Sequence, residues 1–129
     1  ARVVFLGRRT QDELAQLYNA VDMLVLASDR EGWANVLLEA MACGTPVVAT
    51  RIWGTPEVVA RPEAGVLVER DDDDIARGVR ELAAALPDRA ATRLYAEGFS
   101  WEATTAGLER LFTAILARRD QRGAAIQQA

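Results

Sequence analysis

The sequence has no lysine, no histidine and a single cysteine among its 129 residues. Without histidine, neither a His-ligated zinc site nor a Cys–His nucleophile pair can be assembled. Cys43 alone excludes an intrachain disulfide and fits a reducing compartment; its expected place is a small, buried helix position. All basic residues are arginine, fifteen against nineteen acidic ones, for a net charge of -4. That balance argues against a nucleic-acid partner, which normally meets a basic face. No signal peptide and no run long enough to span a bilayer is present. The expected location is therefore cytoplasmic, with the parent protein at most peripheral to the inner face of the membrane. An initiator methionine is also missing, and Ala1-Arg2-Val3 reads as the start of a strand. The expectation is a piece of a larger protein.

What is present is ordinary for a globular domain, 50% hydrophobic and 26% charged. Apolar runs at Val3–Gly7, Met23–Ala27, Pro46–Thr50 and Gly65–Glu69 predict four short, buried parallel strands. Helical patterns alternate with them. Thr10-Gln11-Asp12-Glu13 is a capping box before Leu14, Leu17 and Tyr18. A helix is predicted from Asn35 to Cys43 and stopped by Gly44. Thr55-Pro56-Glu57 starts another, with Pro at its first position and capping by Thr55 and Glu57. From Asp74, an apolar stripe of Ile75, Val79, Leu82 and Leu86 runs to Pro87. Asp88 opens a helix through Ala91, Leu94 and Tyr95. Ser100 caps a last one whose buried face is Trp101, Leu108, Leu111, Phe112 and Ile115. Residues 1–122 are expected to be one partial domain and 123–129 a frayed tail. The alternation implies an α/β, Rossmann-like parallel sheet, with ligand beyond the carboxyl ends of its strands. Gly7-Arg8, Ser28 to Asn35 and Arg51 to Thr55 share that rim.

The richest stretch is Arg30 to Thr50. Glu31 lies in a Gly-containing loop, and Glu39 follows on the next helix with seven residues between them. Amides at a helix start attract phosphate, and a carboxylate can accept from a ribose diol. On the residues alone, Glu31 either holds a ligand or complements the positive helix end. Asn35 fits an N-cap, which would leave the amides of Val36 and Leu37 free. Glu39 is four residues on, about 6 Å along the axis. Asp71 to Asp74 invites a metal reading, but an acidic run before a helix caps it and meets its dipole.

This segment resembles the Glu-x7-Glu signature of the retaining group 1 glycosyltransferases (family 4), which have the two-domain GT-B architecture. The resemblance covers nearly the whole chain, as about the last two-thirds of the C-terminal, donor-binding domain. It implies transfer of a sugar from a nucleotide-sugar donor with retention of configuration. Glu31 and the amides of Gly32, Trp33 and Ala34 would hold donor-sugar hydroxyls, with Glu31 the catalytic residue. The helix start at Asn35, Val36 and Leu37 would hold the diphosphate, and Glu39 the ribose. The Gly7-Arg8 loop would face the base, although Arg8 fits an exposed surface residue as well. No metal and no cofactor are implied, the nucleotide-sugar being a substrate. Many members carry Phe and Pro where Trp33 and Ala34 stand, and Pro where Ala27 stands; an aromatic at 33 keeps the packing role. Gly54-Thr55-Pro56-Glu57 resembles the family's Gly-x-Pro-Glu turn.

In the family, an arginine and a lysine upstream of the Val3 segment neutralise the departing diphosphate, and an N-terminal domain binds the acceptor. Neither is in this chain, so the isolated chain is expected to be inactive. Rival readings are a non-catalytic nucleotide-binding or interaction module and a GT-B sugar-nucleotide epimerase fragment. By resemblance, the four strands are the third to sixth in a sheet ordered 3-2-1-4-5-6. Those at Met23, Pro46 and Gly65 should be neighbours in that order. The Val3 strand would lie beyond two strands not contained here. It would then move in beside Met23, or two chains would form a homodimer through the open edge; the dimer is the preferred expectation.

Overall fold

The computed structural model describes the backbone of residues 2–127 and the side chains of residues 2–118. The chain divides into two units, residues 1–98 and 99–129. The first holds α1 (Gln11–Ala20), β1 (Leu24–Leu26), α2 (Asn35–Ala42), β2 (Val47–Thr50) and α3 (Thr55–Val58). It continues through β3 (Gly65–Val68), α4 (Asp72–Ala84) and α5 (Arg89–Glu97). The strands form one parallel sheet in the order β1-β2-β3, with Val47 opposite both Leu24 and Gly65. The expected neighbour order therefore holds.

The fourth strand does not form. Residues 3–6 have no regular structure, and Phe5 is 95% exposed. A strand needs a partner for its backbone groups. Among the described residues, no strand pairs with this run, and it does not add to the free edge of β1.

Alternation along β2 divides the core. Val47 and Ala49 face one side with Leu37, Ala40, Met41 and Val58, under α1, α2 and α5. Val48 faces the other, with Val68 and Leu82 of α4. Each buried Val, Leu or Met among them contributes about 1.5–3 kcal/mol. Two glycines are fixed by close approach. A Cβ on Gly78 would sit 2.4 Å from Val68 Cγ1, so α4 lies tight on the sheet. Gly65, at φ 137°, would place a Cβ 1.8 Å from the Val47 carbonyl oxygen.

Most of the expected caps are present. Thr10 and Glu13 form the reciprocal capping box, Asp71 accepts from Asp74 N at 2.9 Å, and Asp88 accepts from Ala90 N and Ala91 N. The acidic run is thus a helix start. Asn35 is a correction: the N-cap is Ala34, with no side-chain cap bond, and Asn35 is the first helical residue. Ala34 is 3% exposed, so core packing sets where the helix begins. Thr55 is a second correction, since Gly54 is the N-cap of α3 and makes no side-chain cap bond. In α4 the stripe ends at Leu82, and Leu86 lies past the helix and exposed. On α5, Leu94 is exposed, and Thr92 and Ala96 are the buried positions.

The second unit is α6 (Trp101–Gln127). Ala103 N donates to Ser100 Oγ at 3.3 Å, as a cap should. Trp101, Leu108, Leu111, Phe112 and Ile115 are exposed, against expectation. Among the described residues, no second element of that unit covers them. The helix backbone runs to Gln127, through part of the expected tail; Gln128 and Ala129 lie outside the described residues.

Candidate functional site

The loops after β1 and β2 meet at the carboxyl ends of their strands, joined by a relay of hydroxyl groups. The Ser28 hydroxyl donates to Glu31 Oε1 at 2.7 Å. Thr50, at the end of β2, donates to the Ser28 carbonyl at 2.7 Å. Thr55 donates to the Thr50 carbonyl at 2.6 Å and accepts from Ile52 N at 3.0 Å. Thr50 and Thr55 are 1% exposed, so these bonds sit where competition from water is weak. The carboxylate of Glu31 is thereby tied through β2 to the first turn of α3. Glu31 itself is half-buried, leaving its second oxygen available to a hydroxyl donor.

The same loops touch through backbone. A Cβ on Gly54 would come within 2.6 Å of the Gly32 carbonyl oxygen and 3.6 Å of Trp33 Cε3. Trp33 and Asn35 are exposed, while Ala34 and Leu37 are buried beneath them. At the start of α2, Asn35 N donates to the Trp33 carbonyl and Leu37 N to the Ala34 carbonyl, at 2.9 and 3.0 Å. The amide of Leu37 is therefore not free, contrary to expectation. With no side chain capping the helix, none takes the amide of Val36, and the positive end of α2 stays open.

Glu39 lies one turn further on, half-buried, and its neighbour is Tyr18 of α1. Burial pushes the Tyr18 hydroxyl above its ordinary value of 10.0, and the negative charge of the nearby Glu39 carboxylate adds to the shift. Gly7 and Arg8 are exposed in the irregular N-terminal segment, with Gly7 at φ 67°. Among the described residues, no hydrogen bond or ion pair joins them to the Glu31–Glu39 segment. The rim also carries exposed ion pairs, Arg51–Glu69 at 3.4 Å and Arg70–Asp29 at 3.9 Å, weak in water.

The opposite end of the sheet is closed differently. Arg89, at the start of α5, donates to the carbonyls of Tyr18, Asn19, Val21 and Cys43 and to Thr45 Oγ1, all at 3.0–3.3 Å. A cation gathering the carboxyl ends of α1 and α2 meets both helix dipoles and their orphan carbonyls. Gly44, at φ 77°, passes under it, with room for a Cβ only 2.8 Å from the Arg89 carbonyl oxygen. No periodic pattern marks Arg89, whose partners are distant in sequence, whereas Ser28 stands three residues before Glu31, a spacing visible in the sequence.

No described helix is long and apolar enough to cross a membrane. Among the described residues, no group of three or more Cys, Asp or Glu could hold a metal ion.

Comparison with known proteins bears on the same residues. The model of the family described as glycosyl transferases group 1 matches residues 1–85. A D-inositol 3-phosphate glycosyltransferase of Salinispora arenicola is 39% identical over 117 residues, 85% of this chain and 26% of that protein. An N-acetyl-alpha-D-glucosaminyl L-malate synthase of Bacillus anthracis is 46% identical over 71 residues, 55% of this chain and 18% of that protein. Among solved structures, a sucrose-phosphate synthase of Thermosynechococcus elongatus superposes with a TM-score of 0.73 at 31% identity, covering 91% of this chain and 31% of that one. The chain spans about a quarter of the length of the curated relatives it matches. The family match takes in the whole rim from Ser28 to Thr55, and by it this chain belongs to the group 1 glycosyltransferases.

Proposed function

We propose that the protein containing this chain transfers a sugar from a nucleotide-sugar donor with retention of configuration, and that this chain supplies the donor-binding loops. The observation that carries the reading is the Ser28-held Glu31 carboxylate beside the uncapped start of α2. One donor needs both features: a carboxylate for sugar hydroxyls and a positive helix end for the diphosphate. Glu31 orients the sugar, with Gly32, Trp33 and Ala34 bordering it. Val36 leads the phosphate contacts, and Glu39, one turn further along α2, takes the ribose. Gly7 and Arg8 face the base.

Fixed positive charge must stabilise the departing diphosphate. Of the rim arginines, Arg51 and Arg70 are paired with carboxylates, and Arg8 and Arg30 are exposed, with no ion pair among the described residues to fix them beside α2. The isolated chain is therefore expected to bind donors weakly and turn over none, whereas the full-length protein is active. No metal or cofactor takes part in this reading.

The test is donor binding by calorimetry and transfer by the full-length protein, wild type and Glu39→Ala. Loss of donor affinity on removing Glu39 is expected. Unchanged affinity would remove its ribose role, and a protein that neither binds nor turns over any nucleotide-sugar would end the reading.

A further inference from the structure

Among the described residues, Trp53 is the only non-glycine at positive φ, 39°. A bulky side chain is strained there. Burial does not compensate, because Trp53 is 70% exposed. The turn's close approach to the neighbouring loop is made by Gly54, against Gly32 and Trp33, and its hydrogen bonds by Thr55. Neither requires an indole at 53. A strained, exposed aromatic residue is thus held at the rim, one position from the contact with the Glu31 loop.

A pyranose presents hydroxyls at its edge and C–H bonds on its faces. A site that selects one needs polar groups for the first and an aromatic surface for the second, the usual division of labour in small-molecule sites. The Ser28-held Glu31 provides the polar group. We propose that Trp53 supplies the apolar surface against which the donor's sugar ring lies, and so helps determine which sugar is accepted. This rests on the donor-binding reading above.

The test uses the full-length protein and two sets of probes, the uridine, adenosine and guanosine diphosphates and their glucosyl esters. Asparagine tolerates positive φ, so Trp53→Asn removes the ring and relieves the strain together. For the diphosphate and ester pair that wild type binds best, it is expected to lower affinity for the ester about tenfold, near the upper end of what one aromatic face contributes. Affinity for the free diphosphate should be unchanged. Trp53→Phe should recover most of the loss, and the unfolding midpoint of Trp53→Asn should not fall. Unchanged ester affinity, equal loss for diphosphate and ester, or a lowered midpoint would overturn the proposal, the last by showing that Trp53 packs against another part of the protein. If wild type binds neither probe set, the donor-binding reading fails first and this proposal with it.

Discussion

Single atoms decide most at the rim. Ser28→Ala removes one hydrogen bond to a charged, half-buried group, an interaction of about 1.5–3 kcal/mol. Taking the lower end for a site open to water, the full-length protein should lose about 1.5 kcal/mol of stability, and kcat/KM should fall by up to about tenfold as Glu31 loses its hold. Gly54→Ala is expected to act first on stability. Its dihedral suits alanine, but the new methyl would press on the Gly32 carbonyl at 2.6 Å. Overpacking of this kind costs about 1–3 kcal/mol, read as a lower urea midpoint with an unchanged slope. Displacement of the Gly32–Ala34 segment should also weaken donor binding. Glu31 and Glu39 were legible in sequence because their spacing and loop-to-helix setting are local. The relay behind Glu31 was not: Thr50 and Ser28 are 22 residues apart and meet only once β1 and β2 pair.

For the elements, the same division between local and distant holds. Thr10, Asp71 and Asp88 announced their helices because a cap is a bond across two or three residues. Asn35 misled because burial of Ala34 outweighs a side-chain cap, and Leu94 because Thr92 turns inward to donate to the Glu63 carbonyl at 2.7 Å. Arg89 reaches partners 44 to 71 residues away, beyond any periodic pattern. Arg89→Met keeps the aliphatic stem and removes the cation, and should cost about 2 kcal/mol in chemical denaturation. The helix starts also set an acid limit. A hydrogen bond from Glu69 N, then Arg77, holds the Asp74 carboxyl below its ordinary 3.8; bonds from Thr10 do the same for Glu13 below 4.5. A depressed folded value means stability that is full above the unfolded value and lost as pH falls through the folded one. The unfolding midpoint should therefore decline as pH drops below about 4.5, and Asp74→Asn should flatten part of that decline.

Across the whole molecule, β1 has one unpaired edge, Val25 in it is 43% exposed, and the apolar segment at residues 3–6 lies uncovered. Such an edge is a template for another strand. The isolated chain is expected to self-associate, seen by light scattering as species larger than 14.1 kDa at high concentration; a monodisperse monomer there would count against it. The layered α/β plan was legible because strands and helices carry different periods. The number of strands was not, since an apolar run becomes a strand only beside a partner.

The Arg89 clamp and the hydroxyl relay occupy opposite ends of β2, separated by four strand residues, about 13 Å. Mutational effects at that distance usually add without interacting. Drift at the Arg89 end changes how long the fold survives and leaves the loops around Glu31 as they were. Loop changes at the other end can in turn alter what those loops meet without reopening the helices. A lineage carrying this unit can therefore explore new substrates and new temperatures as two separate searches.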